Sequence, residues 1–256
     1  MDSKIFVACF ISYIISTVGY VFILRRKKSN LEIIPVFFLV IGFLLHTFSV
    51  IMKWQELSAP PFNSPLGIFS FIGWLLIAEY MFLESRTKSE GLISYILPIV
   101  VLLFGLGVLL ELDRLSILSY SHFLFFELYF SSLLFSIASI IILLAAHCFY
   151  SSREKNEERI TKAFKNELKK IKKLRGMALY TTYYLLCAAL LFYIISLIEI
   201  KRIYFTGAVL LCVLALGILT ALIFNKKIEE QSRGAVLLEV VSFFMLVGSF
   251  VILLIG

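Results

Sequence analysis

Polar side chains are scarce in this chain. Only 16% of its 256 residues are charged, against about a quarter in ordinary soluble domains. Cysteine is limited to Cys9, Cys148, Cys187 and Cys212, all in apolar runs or at their edges. With no C-x-x-C pair they give neither a redox motif nor zinc spacing, and packing is their expected role. There are three histidines and two tryptophans. The sequence holds no Gly-rich phosphate loop, no G-x-S-x-G elbow and no H-E-x-x-H, so no catalytic constellation is visible. Internal repeats, low-complexity tracts and loops long enough for a soluble domain are also missing.

What is abundant is hydrocarbon. Hydrophobic residues make up 61% of the chain and the mean hydropathy is +0.97, values that exclude a soluble domain. Apolar runs, most of them near the ~20 residues that cross a bilayer, extend over Lys4–Leu24, Ile33–Met52, Leu66–Leu83, Leu92–Leu110, Ser121–Phe149, Met177–Ile198, Tyr204–Phe224 and Gly234–Leu254. The sequence therefore predicts an all-α, polytopic integral membrane helical bundle of about eight transmembrane helices, forming one membrane domain over residues 1–256. The first run is read as a retained span, because the basic cluster Arg25–Lys28 follows it and no small-residue cleavage site ends it.

Charge sets the expected orientation. Nineteen Lys and Arg fall on one side of the runs and five on the other (Lys4, Lys53, Arg114, Lys201 and Arg202). By the positive-inside rule the richer side is cytoplasmic, which puts both termini outside. The net charge of +7 then reflects topology, with no nucleic-acid partner implied. Between the fifth and sixth runs, Ile160, Phe164, Leu168, Ile171 and Leu174 recur at helical spacing among ten basic residues from Arg153 to Arg175. That rhythm predicts an amphipathic cytoplasmic connector helix over about 153–175, lying on the anionic leaflet or docking a soluble partner.

Ionisable residues inside the runs are the costly ones, so they mark candidate sites. His46 lies in the second run about six residues, or roughly 9 Å, from its outer end. Gly42, Ser49 and Lys53 share its face, which is expected to point into the bundle. His122 opens the fifth run, where Tyr129, Ser136 and His147 continue a polar stripe flanked by Ser132 and Ser139. His147 lies about 37 Å from His122 along that helix, where an interfacial role is expected. Two readings of His46 stand side by side. Two neutral imidazoles at similar depth, His46 and His122, can supply axial ligands to a haem iron among surrounding aromatics; or His46 is hydrogen-bonded to a neighbouring helix. Glu79, Glu127 and Glu239 are expected in interfacial or helix-paired roles, or in a proton path if they converge.

The segments LLHTFSVIMKW, APPFNSP, GIFSFIGWLLIAEYMFLE, YILP and SHFLFFELYFSSLLFSIASIIILLAAHCFY, in that order over residues 31–150, resemble the cytochrome c assembly family of membrane proteins, which includes the CcsA, CcmC and HemX types. The resemblance implies a membrane histidine at His46, a loop proline at Pro61, a helix tryptophan at Trp74, a proline at Pro98 and an external-side histidine at His122. Gly67 stands where the family often has glutamate, and the Trp-rich external segment of the full-length CcsA and CcmC proteins is absent, so the chain looks most like the short eight-span HemX-type branch.

The resemblance implies b-type haem held near the outer face of a bacterial cytoplasmic membrane, with His46 and His122 as iron ligands and Trp74 and Tyr129 beside the macrocycle. Implied partners are other cytochrome c assembly subunits or a haem-synthesis enzyme at the cytoplasmic face. Two further expectations remain: a non-enzymatic regulator or scaffold without bound haem, and a small-solute transporter.

Overall fold

The computed structural model describes residues 3–26, 33–57, 64–87, 91–112, 124–156, 162–200, 206–224 and 233–255. The protein is an all-α polytopic membrane helical bundle. Among the described residues there are eight helices: α1 Ser3–Arg26, α2 Ile33–Leu57, α3 Pro65–Thr87, α4 Ile93–Leu112, α5 Leu124–Asn156, α6 Lys162–Ile200, α7 Thr206–Phe224 and α8 Arg233–Ile255. Seven are long and apolar enough to cross a membrane, and α7 is apolar over the shorter stretch Ala208–Ile223. Each apolar run of the sequence has its helix. The helices often outlast the runs, because Lys, Glu, Gln and Arg are good helix formers that end hydropathy without ending the backbone hydrogen bonds.

Helices are the expected answer to hydrocarbon, which offers no partner for a free backbone N–H or C=O. Side-chain hydroxyls use the same ladder. Ser12, Thr17, Thr47, Ser136, Thr182 and Ser242 each donate to the carbonyl four residues earlier, at 2.7–2.9 Å. Large apolar side chains such as Val18, Leu44, Leu102, Leu191 and Phe244 are exposed, which suits surfaces that face lipid.

The chain divides into two compact units, the first holding α1 to α4 and the second α5 to α8. In the first, α1 packs closely on α2 and α4. Small residues allow it: a Cβ on Gly19 would stand 2.9 Å from Pro35, and one on Gly42 would stand 2.9 Å from the Tyr13 ring. Ser16 Oγ donates to the Pro35 carbonyl at 2.8 Å and Cys9 Sγ to that of Gly42 at 3.4 Å. Two buried cysteines, Cys9 and Cys212, thus do the packing work expected of them, Cys212 lying 3.1 Å from Ser249 Oγ.

The start of α3 explains the sequence NSPLG. Ser64 caps the helix, accepting the Gly67 N–H on its side chain at 3.1 Å and the Ile68 N–H on its carbonyl at 3.1 Å. Pro65 fills the first helical position, where its missing N–H costs nothing. A third donor, the Leu66 N–H, goes to the Glu111 carboxylate of α4 at 3.2 Å. Gly107, one turn before Glu111, permits this approach, since its Cβ would stand 3.1 Å from Leu66 Cα. A carboxylate therefore reaches the α3 N-terminus from another helix.

In the second unit α5 and α6 form the most extensive helix pair. The connector differs from the expectation. Residues 153–156 complete α5, residues 157–161 lie outside the described residues, and Lys162–Arg175 are the first part of α6 itself. At 39 residues and 1.5 Å per residue, α6 is about 58 Å long, far more than the ~30 Å hydrocarbon core. Ile171 and Leu174 are buried within the protein, so at this end of the segment the apolar stripe covers protein surface and lipid does not receive it.

Candidate functional site

The imidazole of His46 is buried in the first unit, with 2% of its surface exposed. Gly42 and Ser49 on the same face are buried too and Lys53 is half-buried, so the face points inward as its small and polar character implies. Both ring nitrogens have partners. The Tyr13 hydroxyl of α1 lies 3.2 Å from Nδ1, and the Ser70 hydroxyl of α3 lies 2.9 Å from Nε2. A neutral imidazole donates at one nitrogen and accepts at the other, and a hydroxyl can serve either need. Each tautomer is therefore satisfied, and three helices are tied at one residue.

Phe104 of α4 closes the fourth side. Its ring is fully buried and sits edge-on to His46 at a centroid distance of 4.9 Å and to Tyr13 at 5.8 Å. Stacked contacts with Phe6 and Phe10 of α1 follow at 5.2 and 5.9 Å. On the α3 side Gly73 leaves room, since a Cβ there would approach the Phe104 ring to 3.0 Å. One phenyl ring thus meets all three neighbouring helices.

Trp74 repeats the α2–α3 link one turn along. Its indole N–H donates to Thr47 Oγ1 at 2.9 Å, and that hydroxyl donates in turn to the Phe43 carbonyl at 2.8 Å. The indole also stacks on Phe43 and Phe71 at 6.2 and 5.7 Å. Successive residues of α2, His46 and Thr47, are hydrogen-bonded to residues four apart on α3, Ser70 and Trp74.

Of the residues singled out from the sequence, His46 and Trp74 come together in this way. Tyr129 is fully buried in the second unit, 5.4 Å from the Tyr193 ring. Ser136 and Ser139 are buried on the same helix. His122 and Pro61 lie outside the described residues. In α2 the helix outlasts the apolar run through Lys53, Gln55 and Glu56, so His46 stands eleven residues, about 16 Å, from the helix end at Leu57. His147 is half-buried.

Glu239, 2% exposed, accepts a charge-assisted hydrogen bond from Arg175 Nη2 of α6. It is the helix-paired case among the acids. Tyr13, Ser70, Phe104 and Arg175 were not singled out from the sequence. Hydroxyls in apolar runs carried a signal for the first two, but nothing marks one phenylalanine among 25 as central.

No group of three or more His, Cys, Asp or Glu able to hold a metal occurs among the described residues. Both ring nitrogens of His46 are engaged by hydroxyls, so an iron at either one would first have to displace Tyr13 or Ser70. What this arrangement does is join helices: three hydroxyls, one imidazole and one indole exchange hydrogen bonds, each satisfying a group that would otherwise be costly in hydrocarbon. Comparison with protein-family models, with curated proteins and with solved structures finds no match for this chain.

Proposed function

We propose that the protein handles haem as cargo in the manner of the cytochrome c assembly family, holding it near the outer face of a bacterial cytoplasmic membrane. The observation that supports this reading is the paired link between α2 and α3. His46 and Trp74, the family-pattern residues of these two spans, take part in one interhelical device through Ser70 and Thr47. A pattern of His-Thr on one span and Ser-x-x-x-Trp on the next gains a physical reason, since each partner satisfies the other. In this reading His46 builds the frame, and His122 is assigned to the iron.

The test is purification in detergent, addition of haem and measurement of a Soret band. The expected result is a band in wild-type protein, its loss in His122→Ala, and its retention per folded molecule in His46→Gln. Wild-type protein that takes up no haem overturns the proposal.

A second reading, a membrane regulator or scaffold without bound haem, is favoured by the length of α6, whose basic first part runs well beyond a span. Under it, replacing the exposed Lys169, Lys172 and Lys173 by Ala abolishes function while His122→Ala leaves it intact. The opposite pattern overturns it.

A further inference from the structure

Where α6, α7 and α8 meet in the second unit, a cavity of about 50 Å³ is lined by Lys172, Arg175, Gly176, Leu179, Leu222 and Glu239, among others. It lies at the ends of three apolar stretches, near the start of Lys169–Ser196, the end of Ala208–Ile223 and the start of Ala235–Ile252. The ends of spanning stretches are the level of a bilayer's polar headgroups. Glu239 is 2% exposed and gives Oε1 to Arg175, while its other oxygen, Oε2, is buried with no hydrogen-bond partner among the described residues. An unpartnered carboxylate oxygen beside a cavity calls for a donor, and leaving it bare is costly.

We propose that this cavity binds the ammonioethyl phosphate headgroup of a zwitterionic phospholipid. A primary ammonium brings three N–H donors and one positive charge, enough to satisfy Glu239 Oε2. Lys172 is exposed at the mouth, and Arg175 has N–H groups beyond the one given to Glu239, so the phosphate meets two cations. A water needs roughly 10–15 Å³, so a cavity of about 50 Å³ takes about three to five non-hydrogen atoms, room for the ammonioethyl arm. Leu179 and Leu222 offer apolar walls toward the acyl chains. Gly176 lines the space, and beyond its chain neighbours a Cβ there would meet nothing within 4 Å, which leaves room for a larger side chain. An anionic glycerol headgroup would satisfy the cations but offer Oε2 only a neutral hydroxyl, weaker than an ammonium N–H, and a choline headgroup has no N–H to give.

The test uses full-length protein in detergent, equilibrated with equal amounts of phosphatidylethanolamine, phosphatidylcholine and phosphatidylglycerol and examined by native mass spectrometry. Retention of phosphatidylethanolamine about tenfold over each of the others is expected, as one charge-assisted hydrogen bond gives. Gly176→Leu keeps both members of the ion pair, places a side chain in the cavity, and should remove the preference. Lys172→Ala, an exposed change, should lower retention of phosphatidylethanolamine and phosphatidylglycerol alike. Equal retention of phosphatidylethanolamine and phosphatidylcholine in the wild type means that water alone fills the space, and overturns the proposal. Phosphatidylglycerol in excess, or a Lys172→Ala protein with unchanged retention, overturns it as well.

Discussion

The hydroxyl of Ser70 lies 2.9 Å from Nε2 of His46, inside a bundle that hides both side chains. Because Tyr13 takes Nδ1, the imidazole is a three-helix junction with its hydrogen-bonding capacity spent. In hydrocarbon such a junction counts for more through what it prevents than through what it adds: truncating one partner strands the others.

His46→Ala strands the hydroxyls of Tyr13 and Ser70. Interhelical hydrogen bonds in membrane proteins average about 0.6 kcal/mol and reach about 1.7, so a loss of roughly 1–3 kcal/mol is expected for the two together. A double-mutant cycle of His46→Ala with Ser70→Ala, read from unfolding in mixed detergent, should give a coupling of about 0.5–2 kcal/mol. A coupling of zero would mean that the contact does not hold the helices.

Trp74→Phe keeps an aromatic ring beside Phe43 and Phe71 and deletes only the donor to Thr47. Thr47→Val deletes the acceptor with little change of shape. Each should lower stability by about 0.5–2 kcal/mol, and the double variant should lose no more than the larger single loss. Full additivity in detergent unfolding would count against the link.

Phe104→Ala empties the centre of the first unit and should cost about 3–5 kcal/mol. The glycines of α4 offer a sharper contrast. Gly107→Ala drives a methyl to 3.1 Å from Leu66 Cα and should cost about 1–3 kcal/mol. Gly105→Ala meets nothing within 4 Å and should be neutral or stabilising by up to about 1 kcal/mol. Thermal midpoints of the purified variants test the order.

Removing one member of the Arg175–Glu239 pair leaves a buried charge alone. Glu239→Ala should cost about 3–5 kcal/mol, whereas Arg175→Met combined with Glu239→Leu should recover most of the loss. Recovery of folded yield in the double variant is the measurement, and a double variant as unstable as the single one would show that the charges are needed for more than neutralising each other.

Hydropathy made the eight helices legible, because water-free surroundings force each apolar run to satisfy its own backbone. It also marked His46 as inward-facing through Gly42 and Ser49 on the same helical face. Where charge replaces hydrocarbon the signal stops, while the helix does not. That is why α2 runs to Leu57 and why the basic segment before Met177 is part of α6.

The partners of a side chain belong to a different order of information. Sequence alone determined that this is a membrane bundle, which faces are polar, and which imidazole carries a cost in lipid. Only the tertiary structure decided that Tyr13 and Ser70 meet that cost, that Trp74 answers Thr47, and that Arg175 answers Glu239. The physical reason is one of range. Hydropathy and helical period act within one span, whereas these pairs are separated by 24 to 64 residues and depend on how spans rotate and slide until their few polar groups find one another.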